Sequence, residues 1–209
     1  MKILLVVLIA VLCFTTYRSD DMNIEKKHAQ MLYVTVGIKT DKNTGSGVVI
    51  YSGTGTTIIL TAKHVINKAK KITVDLYPSE TEHTAVVVSR SSKYDLALIS
   101  IEGNVPYVAK VFKGDTLPVY RPVWKVGAGA GLIPHPSQGI VTIYKADTMF
   151  INTNITFGDS GGPVFVENKG KYELVGIISA VATLNRFSHI YHLGIAVNPH
   201  AISRFIYPQ

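Results

Sequence analysis

The stretch TNITFGDSGGPVF, residues 153–165, decides how the rest of the chain is read. It packs three glycines and a proline around one aspartate and one serine. Gly, Asp and Ser all populate turns for conformational reasons, so a plain tight turn accounts for the composition but not for the order. The other reading makes Ser160 a nucleophile. A serine hydroxyl is a poor nucleophile near neutral pH and needs a base within hydrogen-bond reach. That reading therefore requires a histidine, and an acid to orient it, elsewhere in the chain.

Histidine is the usual base because its unperturbed pKa lies closest to the working pH. Of seven histidines, His64 alone has flanks that imply fixed geometry. In ILTAKHVI, residues 59–66, an apolar strand ends in small residues and His64 opens a turn. Alone, it equally fits a hydrogen-bonded histidine at a strand end. The acid must be buried enough to hold the imidazole in one tautomer. SKYDLALISI, residues 92–101, places Asp95 at the mouth of an apolar strand, where a charge is costly unless paired. Taken alone, Asp95 also reads as a strand-capping residue. Asp75 in TVDLYP is the rival acid, but its alternating context reads as an exposed strand position.

Short β-branched runs broken by turn residues surround these motifs. MLYVTVGIK, SGVVIYS, TTIILTA, KITVDLY, TAVVVSR and DLALISI follow one another to residue 101. A second series runs PVWKVG, QGIVTIY, TMFINT, GPVFVEN, YELVGIISAVA and SHIYHLGIAV. Such spacing predicts an all-β protein of barrels or sandwiches. The expected division is a polar spacer over 22–30, an N-terminal barrel over 31–112 carrying His64 and Asp95, a Pro-containing linker over 113–122, and a C-terminal barrel over 123–209 carrying Ser160. Helical spacing is confined to PHAISRFIY at the end, with Pro199 suited to a first helical position.

Bulk properties exclude several classes. At 209 residues and 47% hydrophobic content the chain is globular rather than disordered. The net charge of +7 favours anionic surfaces without identifying one. No basic helix or aromatic-interleaved basic strip supports nucleic-acid binding, and KAKK at 68–71 reads as a solvated loop. Residues 1–21 carry one lysine and then an apolar run from Ile3 to Phe14, the length of a secretory segment rather than of a membrane span. Cys13 and Thr15 are the best small residues for a cleavage site, which leaves both a signal peptide and an uncleaved membrane anchor open. Export is expected on either reading, to the periplasm or outside. The only cysteine, Cys13, lies in that segment, so the domain has no internal disulfide, thiol nucleophile or thiolate metal site. His189 and His192 lack a third ligand for a metal, and no cofactor is implied.

Together, TAKHV, YDLALI and GDSGGP, in that order, resemble the trypsin-like (chymotrypsin-fold) serine proteases over residues 31–207. The resemblance implies two six-stranded antiparallel β-barrels with a short C-terminal helix. It makes His64 the general base, Asp95 the orienting acid and Ser160 the nucleophile, in the chain order of this fold. It also makes the backbone N–H groups of Gly158 and Ser160 the oxyanion hole, with glycine at 158 permitting the conformation that aims both donors. GSGVVI at 45–50, GIV at 139–141 and LGIAVNP at 193–199 resemble the bacterial HtrA/DegP-type peptidase domains in particular. Two departures stand out. Those proteins carry a PDZ domain for which this chain is expected to have no room, and they usually have asparagine where Asp159 stands. In trypsin that aspartate pairs with an N-terminus released by zymogen cleavage, but NIEKKHAQMLYVTVG lacks the usual start. Asp159 is expected to find another partner or remain solvated, with no activation by N-terminal cleavage.

By the same resemblance the specificity pocket comprises Asn154, Ile155, Ser179, Ala180, Val181 and Gly194. No carboxylate is among them, which implies small-to-medium apolar residues on the acyl side of the cut bond. Val181 stands where a glycine is usual and narrows the mouth; His192 is read as a surface strand residue rather than as a rim group for acidic side chains. The expected partner is a protein or peptide substrate, with membrane contact through the N-terminal segment if it is uncleaved. Two alternatives stand beside the endopeptidase reading: a catalytically silent protease-fold binding module at the membrane, and an esterase using the same acyl-transfer site.

Overall fold

The computed structural model describes residues 28–208 apart from 80, 186 and 187; the expected export segment lies outside the described residues. Thirteen strands are built from the β-branched runs. They are β1 (Thr35–Thr40), β2 (Thr44–Gly53), β3 (Thr56–Thr61), β4 (Ile72–Leu76), β5 (Thr81–Arg90), β6 (Ala97–Glu102), β7 (Lys110–Val111), β8 (Pro122–Gly127), β9 (His135–Lys145), β10 (Thr148–Asn152), β11 (Pro163–Asn168), β12 (Lys171–Asn185) and β13 (Ser188–Val197).

The first six close into a barrel in the order β1-β2-β3-β6-β5-β4. Every pairing is antiparallel, from β1 with β2 round to β1 with β4. The second sheet runs β11-β8-β9-β10-β13-β12, and β11 also pairs with β12, so these six strands close as well. Closure removes the open edges that these twelve strands would otherwise present. β7 joins as a parallel addition to β12, with Glu173 opposite Lys110. The two six-stranded antiparallel barrels expected from the sequence are therefore present.

Alternation of apolar side chains along each strand fills the barrels. Val36, Ile38, Val49, Ile59 and Ile99 are buried in the first, and Val123, Val141, Met149, Ile151 and Val175 in the second. The first core does not stop at its own barrel. It continues through Phe165, Leu174 and Ile177 to Ala201 and Ile202 of the terminal helix, so the barrels share a packed interface.

That helix, α1 (Pro199–Ile206), starts as the sequence predicts. Pro199 occupies the first turn and the Asn198 side chain accepts from the Ala201 N–H at 3.0 Å, satisfying one donor that the helix cannot. A second helical stretch, residues 28–33, stands where the sequence reading has the end of the polar spacer and the start of the run MLYVTVGIK; the strand itself begins only at Thr35. Met31 is fully buried there, and its carbonyl accepts from the Thr35 hydroxyl at 2.8 Å. One inserted apolar side chain docks a turn too short to announce itself by periodicity.

Candidate active site

The first barrel supplies a histidine and an acid on adjacent, independently braced loops. His64 lies on the 3-10 turn Lys63–Ile66, which is anchored by the buried Val65 and Ile66. Asp95 lies between the buried Tyr94 and Leu96. Ser91 holds that loop: its hydroxyl accepts from the N–H groups of Lys93 and Tyr94, and its carbonyl accepts from Lys63 Nζ at 2.9 Å.

The two side chains then meet with both carboxylate oxygens engaged. Asp95 Oδ2 is 2.7 Å from His64 Nδ1, while Oδ1 accepts from the His64 backbone N–H at 2.9 Å. The Ser179 hydroxyl, from β12 of the second barrel, donates to Oδ2 at 2.5 Å. Burial alone would raise the Asp95 carboxyl above the ordinary value. The hydrogen bonds from His64 and Ser179, together with the charge of the imidazolium, outweigh it and hold the group below that value. With the imidazole neutral, an ionised Asp95 accepting from Nδ1–H leaves Nε2 as the unprotonated, proton-accepting nitrogen.

Asp75, the rival acid, is engaged elsewhere. Its Oδ2 is 2.8 Å from Lys39 Nζ on the neighbouring strand.

The second barrel presents Ser160 on the turn between β10 and β11. Gly158 has φ 95°, a conformation that a side chain disfavours. The turn is tied on both flanks. The N–H of Gly161 donates to the Ile178 carbonyl at 2.7 Å, and the Ser160 carbonyl accepts from the Ser46 N–H at 2.7 Å. Ser46 is fully buried on β2. Its hydroxyl donates to the Gly158 carbonyl at 2.7 Å and accepts from the Ala128 N–H at 2.8 Å. The serine of GSGVVI thus fastens the turn that carries Ser160 to the first barrel, a role that the sequence did not reveal because it is contacted from 112 residues away.

Asp159 is fully buried and meets a buried lysine. Lys125 Nζ lies 2.8 Å from its Oδ2, with side-chain exposures of 1% and 0%. The same oxygen accepts from the Thr156 N–H at 2.8 Å and the Thr156 hydroxyl at 3.2 Å. Of the two expectations for Asp159, solvation fails and another partner is found.

His64, Gly158 and Ser160 line one cleft of about 600 Å³ between the barrels, with Ile155, Ala180, Val181 and Thr183 on the second-barrel side and Lys42, Asn43 and Thr44 on the first. Of the residues expected to form a pocket, Ile155, Ala180 and Val181 reach this cleft. Gly194 lies behind Ile155: a Cβ at 194 would stand 2.8 Å from Ile155 Cγ1 and 2.9 Å from its Cδ1. Asn154 is exposed, with Oδ1 2.7 Å from His192 Nδ1. Ser179 turns its hydroxyl to Asp95 instead. Among the described residues no cluster of three or more metal-ligating side chains occurs, and no helix is long and apolar enough to cross a membrane.

Known proteins are similar to this chain in sequence and in fold. A "Probable periplasmic serine endoprotease DegP-like" from Buchnera aphidicola is 33% identical over 150 residues, covering 66% of this chain and 31% of the relative. Its counterpart from Pseudomonas savastanoi is 35% identical over 147 residues, 66% of this chain and 29% of the relative. The chain thus spans less than a third of the length of these relatives. A serine endoprotease from Yersinia pestis superposes with a TM-score of 0.74 at 22% identity, over 87% of this chain and 64% of that one, which shows the fold. The sequence profile of the trypsin-like peptidase domain matches residues 45–177. The chain belongs to that family of trypsin-like peptidases.

Proposed function

We propose that the chain is an exported serine endopeptidase in which Ser160 is the nucleophile, His64 the general base, Asp95 the orienting acid, and the N–H groups of Gly158 and Ser160 the oxyanion donors. The observation that carries this reading is the His64–Asp95 pair, 2.7 Å from Nδ1 to Oδ2, on a cleft whose opposite wall holds Ser160. The relatives named as periplasmic endoproteases support export and a protein substrate.

The chemistry follows from the protonation states. Ser160 Oγ attacks the carbonyl carbon as its proton passes to His64 Nε2, and negative charge collects on the former carbonyl oxygen. His64 returns that proton to the departing amine, leaving an acyl-Ser160. Water then repeats the sequence and frees the acid. Each oxyanion donor contributes about 3–4 kcal/mol to the barrier reduction in sites of this type.

The cleft favours a short apolar side chain at the acyl position. Ile155 is 4% exposed and packs over Gly194, filling the depth that a long side chain would need. Among the described residues no carboxylate lines the cleft, so a basic side chain would be desolvated there without a counter-charge.

The test is fluorophosphonate labelling of the full chain beside Ser160→Ala and His64→Ala, followed by digestion of a denatured protein. Labelling that needs both residues, with cleavage after small apolar residues, is the expected result. A folded wild type that fails to label, or labels equally without His64, overturns the reading.

A further inference from the structure

Lys125 is the only buried basic side chain among the described residues, and nothing in acyl transfer uses it directly. It lies on β8 two residues after the fully buried Val123, hence on the inward face of the strand. Its ammonium reaches Asp159 Oδ2 at 2.8 Å. That oxygen also takes the Thr156 N–H, while the Asp159 N–H returns to the Thr156 carbonyl at 3.1 Å. The four residues 156–159 are thereby closed into one ring of contacts, and Gly158 sits inside it. The next N–H along the chain is that of Ser160.

The backbone around the carboxylate is cut to admit it. A Cβ at Gly127 would stand 2.4 Å from Asp159 Oδ1, and one at Gly129 would stand 2.1 Å from Thr156 Oγ1 and 2.8 Å from Asp159 Oδ1. Oδ1 itself has no hydrogen-bond partner among the described residues. The carboxylate is therefore held by Oδ2 alone, and Lys125 is the only cation among the described contacts of that atom.

We infer that Lys125 is a positioning residue for the oxyanion donors: its ammonium holds the Asp159 carboxylate inside the barrel, and this keeps the 156–160 turn, with the N–H groups of Gly158 and Ser160, in its working conformation without any processing of the chain. A buried carboxylate deprived of its counter-ion is driven to water. Asp159 cannot leave without opening the turn it closes. The inference rests on the proposed endopeptidase reading, since it assigns Lys125 to the donors which that reading names.

The experiment compares full-length wild type, Lys125→Met, and two double variants, Lys125→Met/Asp159→Asn and Lys125→Met/Asp159→Ala, by fluorophosphonate labelling rate and by kcat and KM on an ester. Near-ultraviolet circular dichroism scores folding. Lys125→Met is expected to label about 100-fold more slowly than wild type, the size of a lost oxyanion donor, with the loss in kcat rather than KM. Lys125→Met/Asp159→Asn removes the unpaired charge but keeps an acceptor for the Thr156 N–H, and is expected to recover to within about tenfold of wild type. A purely structural lysine would lower stability in all three variants and leave the labelling rate of the folded fraction unchanged.

Folded Lys125→Met that labels at the wild-type rate overturns the inference. Where Lys125→Met does not fold, the two double variants decide. Asparagine labelling much faster than alanine at 159 supports the inference, and equal rates overturn it. Failure of the wild type to label overturns the endopeptidase reading instead, so the two failures are told apart.

Discussion

The Ser179 hydroxyl crosses from the second barrel to the first and donates to Asp95 Oδ2 at 2.5 Å, the oxygen that also faces His64 Nδ1. The acid of one barrel is thus oriented by a strand of the other, and closing the two barrels together completes its environment. Hydrogen bonds to charged groups contribute about 1.5–3 kcal/mol. Ser179→Ala keeps the Cβ while removing the donor. We expect a stability loss of about 1.5 kcal/mol by urea denaturation and a fall of about tenfold in kcat with KM little changed. A rise in KM alone would return Ser179 to the pocket wall.

Asp95→Asn tests the orientation of His64 directly. The amide cannot serve as an ionised acceptor for Nδ1–H, and its NH₂ group favours the tautomer with the proton on Nε2. The imidazole then sits in place with its basic nitrogen turned away from Ser160. In sites of this kind the substitution lowers kcat by about 10⁴ with the fold intact. A loss smaller than about tenfold, measured on an ester by stopped flow, would show that Asp95 does not set the tautomer.

On the proposed reading, Ile155, packed against Gly194, sets the depth of the cleft. Truncating the isoleucine opens space above Gly194, and buried Ile→Ala changes cost about 2–5 kcal/mol, so the milder Ile155→Val belongs beside it. Profiling with a peptide library should move the preferred acyl-side residue from small aliphatic to leucine or phenylalanine in Ile155→Ala. Ile155→Val should lie between. Unchanged preference in folded Ile155→Ala would place the specificity determinant elsewhere, with Val181 the next residue to test.

What the sequence made legible follows from how local each signal is. Ser160, His64 and Asp95 each sit in a short motif with its own flanking pattern, and the β-branched runs mark the strands by their period of two. Lys125 was harder. In PVWKVG it reads as a polar position among apolar ones, and only the assignment of Val123 to the inside puts Lys125 there too. Asp159 posed the question of a partner, but the answer lies 34 residues away on another strand. Ser179 was read as a wall of the pocket because sequence gives the position of a residue on a strand and not the direction of its hydroxyl. The burial of Ile155 over Gly194 likewise depends on two separate strands meeting, and no window of sequence contains both.

Glu173 supplies a prediction independent of the chemistry. It is buried on β12 opposite Lys110 of β7, which bonds its Oε1, while Asn168 donates to Oε2 at 3.2 Å. The Lys110 contact leads the effects on its carboxyl and, with Asn168, outweighs burial to hold it below the ordinary 4.5. A carboxyl with a depressed folded-state pKa gives stability that is complete above its unfolded value and is lost as pH falls through the folded one. Wild type should therefore exceed Glu173→Gln in unfolding free energy at neutral pH, and the gap should close as pH falls below the ordinary 4.5 and through the depressed folded-state value. The pair fastens β7, the strand that leads out of the first barrel, to the second, so its loss should also raise hydrogen exchange at Phe112, whose N–H donates to the Leu174 carbonyl at 3.0 Å. A gap that stays constant with pH would mean that the side chain acts through packing rather than through its charge.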